Sequence, residues 1–168
     1  MKKAIIIGAT SGLGKELAKL LAKNDYLVGI TGRRTELLNN IEAENPKLYR
    51  IKSFDITEID IIETKLNELT AELGGIDLLI LSSGIGNINT DLDFEIDKKT
   101  IETNVLGFTC VLDWAFNHFK KQQHGHLVVI SSIAGIRGNK NSTSYNATKA
   151  YQINYLEGLR QKAKQLKM

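Results

Sequence analysis

The stretch "GATSGLGKE", residues 8 to 16, follows the apolar run "AIII" at 4 to 7 and opens a helical pattern, the layout of a phosphate-holding turn between strand and helix. Two kinds of phosphate loop compete for it. A nucleoside triphosphate loop has a glycine, four residues, then Gly-Lys and a hydroxyl. Ending such a loop at Gly14-Lys15 puts its first position on Ala9 and its hydroxyl on Glu16, so both ends fail. Read as a dinucleotide turn, Gly8, Gly12 and Gly14 form G-x-x-x-G-x-G, which differs from the common G-x-G-x-x-G and meets the same needs. Glycine adopts left-handed backbone angles and lets main-chain N–H groups and the helix dipole come close to a pyrophosphate. Thr10 and Ser11 add hydroxyl donors. A glycine cluster alone also marks an ordinary tight turn, so the rest of the chain has to decide.

Outward from the turn, short apolar runs recur at 4 to 7, "LVGIT" (27 to 31), "YRIKSF" (49 to 54), "DLLILS" (77 to 82) and "HLVVIS" (126 to 131), and read as strands. Helical patterns lie between them: 13 to 23, with Leu13, Leu17, Leu20 and Leu21 on one face, then about 35 to 44, 57 to 73 and 98 to 122. A last helix is expected over 143 to 165. Strand alternating with helix implies parallel pairing, right-handed crossovers and a sheet covered on both faces. The near-continuous apolar strands agree with that. No repeat or Pro/Gly linker interrupts the chain, so residues 1 to 168 read as one domain.

The second strand ends "TGRRTE", where a dinucleotide fold usually carries an Asp or Glu for the adenosine ribose. Gly32 takes that place, and Arg33 and Arg34 follow. Guanidinium groups suit a 2′-phosphate, and no acid is expected nearby to repel it, which favours NADP(H) over NAD(H). A solvated basic pair at a helix start is the alternative, above all for Arg34. After the third strand, Asp55 either faces the adenine amino group or caps the helix beginning near Glu58.

The 168 residues carry a net charge of +3, with 42% hydrophobic and 24% charged side chains. Arg160, Lys162, Lys164 and Lys167 lie in the last nine residues; without these four, 18 of the 22 basic side chains face 19 acidic ones. The excess is a tail effect that complements a helix C-terminus, so no nucleic-acid partner is expected. No apolar run approaches a membrane span, and the opening "MKKAIIIGATSG" is interrupted by glycine too early for a signal peptide. The lone Cys110 fits a reducing compartment, and a cytoplasmic location is expected. "HGH" at 124 to 126 offers two imidazoles without an evident third ligand, so no metal site is expected.

Behind the fifth strand comes "SSIAGIRGNKNSTSYNATKAY", at the C-terminal sheet edge where ligands lie in such folds. Tyr145 and Lys149 are four apart and share a helix face. A free phenol titrates near 10, too high for acid–base work at neutrality. A cation about 4 Å away, at an effective dielectric near 20, is worth roughly 4 kcal/mol, enough to bring a phenol into working range. Such a pair also arises by chance on solvated helices; its place after a strand-end Ser-Ser and a glycine turn is what gives it meaning.

Here the sequence resembles the short-chain dehydrogenase/reductase family over essentially its whole length. "GATSGLG" looks like the cofactor turn, "TNVLG" the Asn-containing helix motif, "ISSIAG" the serine motif and "YNATK" the Tyr-x-x-x-Lys motif, all in family order. The resemblance implies a Rossmann-type, doubly wound parallel sheet in three layers and hydride transfer between a nicotinamide cofactor and a carbonyl/alcohol pair. By the same resemblance Tyr145 is the acid/base. Ser132, thirteen residues before it and preferred on that count over Ser131, bonds the reacting oxygen. Lys149 lowers the tyrosine pKa and holds the nicotinamide ribose, and Asn104 positions a water in a proton relay. Gly8, Thr10, Ser11, Gly12, Leu13, Gly14, Arg33, Arg34, Asp55, Ile56, Ser83 and Gly84 fall along the cofactor with Tyr145 and Lys149.

Departures are also visible. The family commonly has Asn-Asn-Ala-Gly after the fourth strand; "LSSG" at 81 to 84 keeps Gly84 but lacks the amide side chains, and Ile7 stands where Thr is frequent. The family continues beyond the catalytic helix with further strands and a substrate-covering segment. The chain is therefore expected to be a fragment or truncated product, with an exposed sheet edge and weak or no turnover. Trp114, Phe116 and Phe119 on the long helix suit core or dimer packing. The resemblance makes a homodimer through helices 98 to 122 and 143 to 165 the expected assembly. A non-catalytic cofactor-binding or assembly module is the alternative, and the substrate identity is not legible.

Overall fold

A computed structural model describes residues 1 to 166, so the basic-tail residue Lys167 lies outside the described residues. The chain alternates β1 (Lys2–Ile7), α1 (Gly12–Lys23), β2 (Tyr26–Gly32), α2 (Thr35–Glu44), β3 (Tyr49–Ser53), α3 (Ile59–Leu73) and β4 (Leu78–Leu81). Then follow α4 (Phe94–Ile101), α5 (Phe108–Gln122), β5 (His126–Val129) and α6 (Thr143–Gln165). All strand pairs are parallel, in the order β3-β2-β1-β4-β5. The order reverses between β1 and β4, and a crevice opens beyond the C-terminal ends of strands at such a switch.

Alternation along the strands divides the core into two layers. Ile5, Ile7, Leu79 and Leu81 point to one face, against Leu66 and Leu69 of α3, Leu112 and Ala115 of α5 and Leu159 of α6. Ile6, Ile30 and Ile80 point to the other, against Ala18 and Ala22 of α1 and Leu38 and Ile41 of α2. The result is the three-layer, doubly wound α/β arrangement expected from the element order. β5 is half-buried and, among the described residues, pairs only with β4. No helix among them is long and apolar enough to cross a membrane.

Two helices differ from the sequence expectation. In α1 the buried positions are Gly14, Ala18 and Ala22, while Leu13 is 63% and Leu20 55% exposed. Small side chains four apart let the helix lie close to the sheet: a Cβ on Gly14 would overlap the carbonyl oxygen of Gly8. Leu13 and Leu20 thereby turn outward, Leu13 to the crevice rim, while Leu17 and Leu21 stay half-buried against the core.

The helix expected at 98 to 122 starts four residues earlier, at Phe94, where Asp93 accepts a hydrogen bond from the Glu95 amide at 2.9 Å. It is also interrupted by a π-helical turn over Glu102–Gly107. A widened turn of this kind redirects side chains within an otherwise regular helix. Here it carries Asn104, which is fully buried. Gly107 closes the turn against α3's entry, where a Cβ would overlap the Ile56 carbonyl.

Candidate active site

A cleft of about 710 Å³ lies beyond the C-terminal ends of the strands. One end is the turn after β1. Gly8 (φ +88°) and Gly12 (φ +57°) hold left-handed angles that a side chain disfavours. A Cβ on Gly8 would come within 2.7 Å of the Ser83 backbone nitrogen, so the loops after β1 and β4 touch main chain to main chain. The first turn of α1 carries no acidic side chain, leaving its positive end uncompensated at the cleft.

Both arginines after β2 line the cleft, with partners the sequence did not disclose. Arg33 pairs with Asp55 at 3.2 Å, which corrects the expectation that no acid lies near it. Burial pushes the Asp55 carboxyl upward, but hydrogen bonds from the Thr57 amide and hydroxyl and from Arg33 outweigh it and hold the group below the usual carboxylate range. Asp55 caps the Thr57 amide at 3.0 Å, whereas the helix cap position is Glu58. Arg34 donates to Thr10 Oγ1 at 2.7 Å and Ser11 Oγ at 2.8 Å, bracing the glycine turn from β2.

At the other end stand Tyr145 and Lys149, on adjacent turns of α6 and both on the cleft wall. Lys149 Nζ lies 5.7 Å from the centroid of the Tyr145 ring, a cation over a π face. The lysine is 5% exposed, and that burial pulls its pKa below the ordinary lysine range. Glycines of the loop after β4 make this closeness possible. A Cβ on Gly86 would stand 2.5 Å from the Tyr145 ring, and one on Gly84 would sit 3.3 Å from both Lys149 Nζ and Asn104 Oδ1.

Of the expected residues, Gly8, Thr10, Ser11, Gly12, Leu13, Arg33, Arg34, Asp55, Ile56, Ser83, Gly84, Tyr145 and Lys149 share this one cleft. Three stand behind or beside it. Gly14 packs under the turn. Asn104 clamps the backbone of Ile85, accepting from its amide at 2.9 Å and donating to its carbonyl at 2.7 Å, and also donates to Thr148 Oγ1 at 3.1 Å. Ser132 Oγ accepts from the Ala134 amide at 3.1 Å and caps a short 3₁₀ turn, while its neighbour Ser131 lines the cleft. Sequence reasoning missed Gly86 and Gln152. The signal for Gln152 was its place three residues beyond Lys149, on the same face of α6.

The donors present fit a nicotinamide dinucleotide. Glycine-lined backbone and a bare helix N-terminus face one end, guanidinium groups the flank, and a buried ammonium the other end. The Ser83 hydroxyl on the cleft wall is buried without a protein partner, a polar atom left over for a ligand.

The chain is similar to known proteins in both sequence and fold. The sequence model of the short chain dehydrogenases matches residues 2–167. An uncharacterized oxidoreductase of Myxococcus xanthus is 33% identical over 164 residues, covering 95% of this chain and 65% of its own length. The chain thus spans about two thirds of the length of such curated relatives. Among solved structures, a short-chain dehydrogenase from Streptomyces avermitilis superposes with a TM-score of 0.92 at 25% identity, over 98% of this chain and 62% of that one. ElxO with NADP bound gives 0.83 at 30% identity, over 92% and 64%. A family match running from the second residue almost to the last, on top of the shared fold, decides the assignment: the chain belongs to the short-chain dehydrogenase family.

Proposed function

We propose that the cleft holds NADP(H) and that the protein interconverts a carbonyl and an alcohol, with Tyr145 as the acid/base. The observation that carries this reading is the Tyr145–Lys149 pair, closed in by Gly84 and Gly86 at the far end of a cleft that starts on a glycine turn. When bound, the cofactor supplies or accepts the hydride. The chain's own residues supply the rest. Tyr145 gives its phenolic proton to the carbonyl oxygen in reduction and takes it from the alcohol in oxidation. Lys149 holds its positive charge beside the Tyr145 ring and donates to a ribose hydroxyl. Ser132 donates its hydroxyl proton to the reacting oxygen while its Oγ accepts from Ala134. Asn104 acts by fixing the Ile85 backbone beneath the cleft.

The preference for NADP(H) is carried by Arg33 and Arg34, and ElxO, 30% identical, has NADP bound. Arg33 is exposed and only half committed to Asp55, so it is free to take a 2′-phosphate. The variant Arg33→Ala is expected to weaken NADPH binding about tenfold, the worth of one charged hydrogen bond, and to leave NADH unchanged. Fluorescence titration of both cofactors checks this; equal losses for both would contradict it.

A second reading, a cofactor-binding module without catalysis, is favoured by one observation: Ser132 is drawn into a turn cap, off the cleft wall. Loss of turnover in Tyr145→Phe separates the two. We further propose a homodimer through α4–α5 and α6, whose outer face carries the half-exposed Leu106 and the stacked Tyr151–Tyr155 pair, with Tyr155 donating to Asp113. Light scattering is expected to give twice the chain mass of 18.7 kDa, and a monomer mass would contradict the dimer.

A further inference from the structure

Gln152 is 1% exposed on α6, and both ends of its side chain are used. Its carbonyl oxygen accepts from Lys149 Nζ at 2.9 Å, and its amide nitrogen donates to the Asn104 backbone carbonyl at 2.9 Å. The next acceptor of the ammonium, the Ile130 carbonyl, is longer at 3.4 Å. Asn104 lies in the π-helical turn, where the widened ladder lets a side chain reach its carbonyl. The groups facing the ammonium are the Tyr145 ring and Gln152 from α6, the end of β5 through Ile130, and the loop at Gly84. No carboxylate pairs with it among the described residues, and burial alone lowers its pKa.

We propose that Gln152 is a positioning residue for Lys149: a carboxamide strut from Nζ to the Asn104 carbonyl, in the link that the family resemblance gives to a relay water. The inference rests on the oxidoreductase reading above. Water in such a link reorients and passes protons along; a carboxamide accepts at oxygen and donates at nitrogen in one fixed sense. Gln152 therefore aims the ammonium at Tyr145 without carrying protons from it to Asn104. The sequence of the helix encodes this, since residues three apart meet on one face.

The test compares Gln152→Leu and Gln152→Glu with the unchanged chain. Lysine-selective NMR follows the titration of Lys149, and NADPH binding is measured in parallel by fluorescence. Leu removes the acceptor and shifts the Lys149 titration down; Glu puts a carboxylate in its place and shifts it up. Shifts of opposite sign are the expected result, because mere loosening of packing moves both variants the same way. Gln152→Glu is isosteric and carries the test alone where the Leu variant loses its fold. Unmoved or same-direction titrations in folded variants, with NADPH still bound by the unchanged chain, overturn the strut and leave the oxidoreductase reading intact. Opposite shifts in a chain that binds no NADPH support the strut and overturn that reading instead.

Discussion

Replacing Tyr145 with Phe is expected to lower NADPH-dependent carbonyl reduction about 10²- to 10⁴-fold, the usual contribution of a positioned proton donor, with NADPH affinity nearly unchanged. The variant is chosen for what it keeps. The Phe ring still fills the space against Gly86 and still lies under the Lys149 ammonium, so packing and the cation–π contact survive. What disappears is the hydroxyl. A loss of rate with binding retained therefore assigns the proton transfer to that atom. Turnover by the unchanged chain is itself expected to be weak, because the turn that follows Ser132 leaves Ile133 and Ile136 87% and 74% exposed, without apolar cover among the described residues. Single-turnover measurements with excess protein accommodate a slow rate. A Phe variant as fast as the unchanged chain would remove Tyr145 from the chemistry.

Gly to Ala is expected to act in opposite directions at two helical glycines, Gly14 and Gly158. By helix propensity, Gly to Ala stabilises a helix by about 1 kcal/mol. At Gly158, on α6, a Cβ meets nothing within 4 Å, so that gain is expected in full. At Gly14 the added Cβ overlaps the Gly8 carbonyl oxygen, a main-chain atom that cannot rotate away. Either α1 lifts off the sheet or the turn after β1 shifts. Overpacking of this kind costs about 1–3 kcal/mol, which outweighs the propensity gain. For a chain of this size each kcal/mol moves the melting temperature by about 2–4 °C. Gly14→Ala is thus expected to melt lower and Gly158→Ala higher than the unchanged chain, and Gly14→Ala also to bind NADPH less tightly. A stabilised Gly14→Ala would contradict the close seating of α1.

Much of the fold is legible in the sequence because buried parallel strands leave uninterrupted apolar runs, and the spans 35 to 44 and 143 to 165 coincide with α2 and α6. α1 was legible in extent but not in orientation. Leucine periodicity suggested its buried face, yet Gly14, Ala18 and Ala22 win that face because close approach to the sheet favours small side chains. The start of α4 was hidden for a different reason. Its sequence "FEIDKKTI" is mostly polar, and side-chain hydrogen bonds from the preceding loop, rather than an apolar period, hold its start: Asn89 donates to the Asp93 carbonyl and to Asp97, and receives the Asp93 amide.

The site shows the same division. Glycine spacing and the Tyr-x-x-x-Lys interval are local, so they mark the two ends of the cleft. Partnerships across the fold are not local. Arg33 with Asp55, Arg34 with Thr10 and Ser11, and Gln152 with Asn104 join residues 22 to 48 positions apart. The choice between Ser131 and Ser132 depends on how β5 ends, which spacing alone does not resolve.

One cleft is expected to seat a nicotinamide dinucleotide with its reactive ring beside Tyr145. A crystal structure of the chain with NADP⁺ tests it most directly. The predicted result has the pyrophosphate on the turn from Gly8 to Gly14, the adenosine end beside Arg33 and the nicotinamide ribose on Lys149. A dinucleotide bound elsewhere, or one whose nicotinamide lies away from Tyr145, would contradict it.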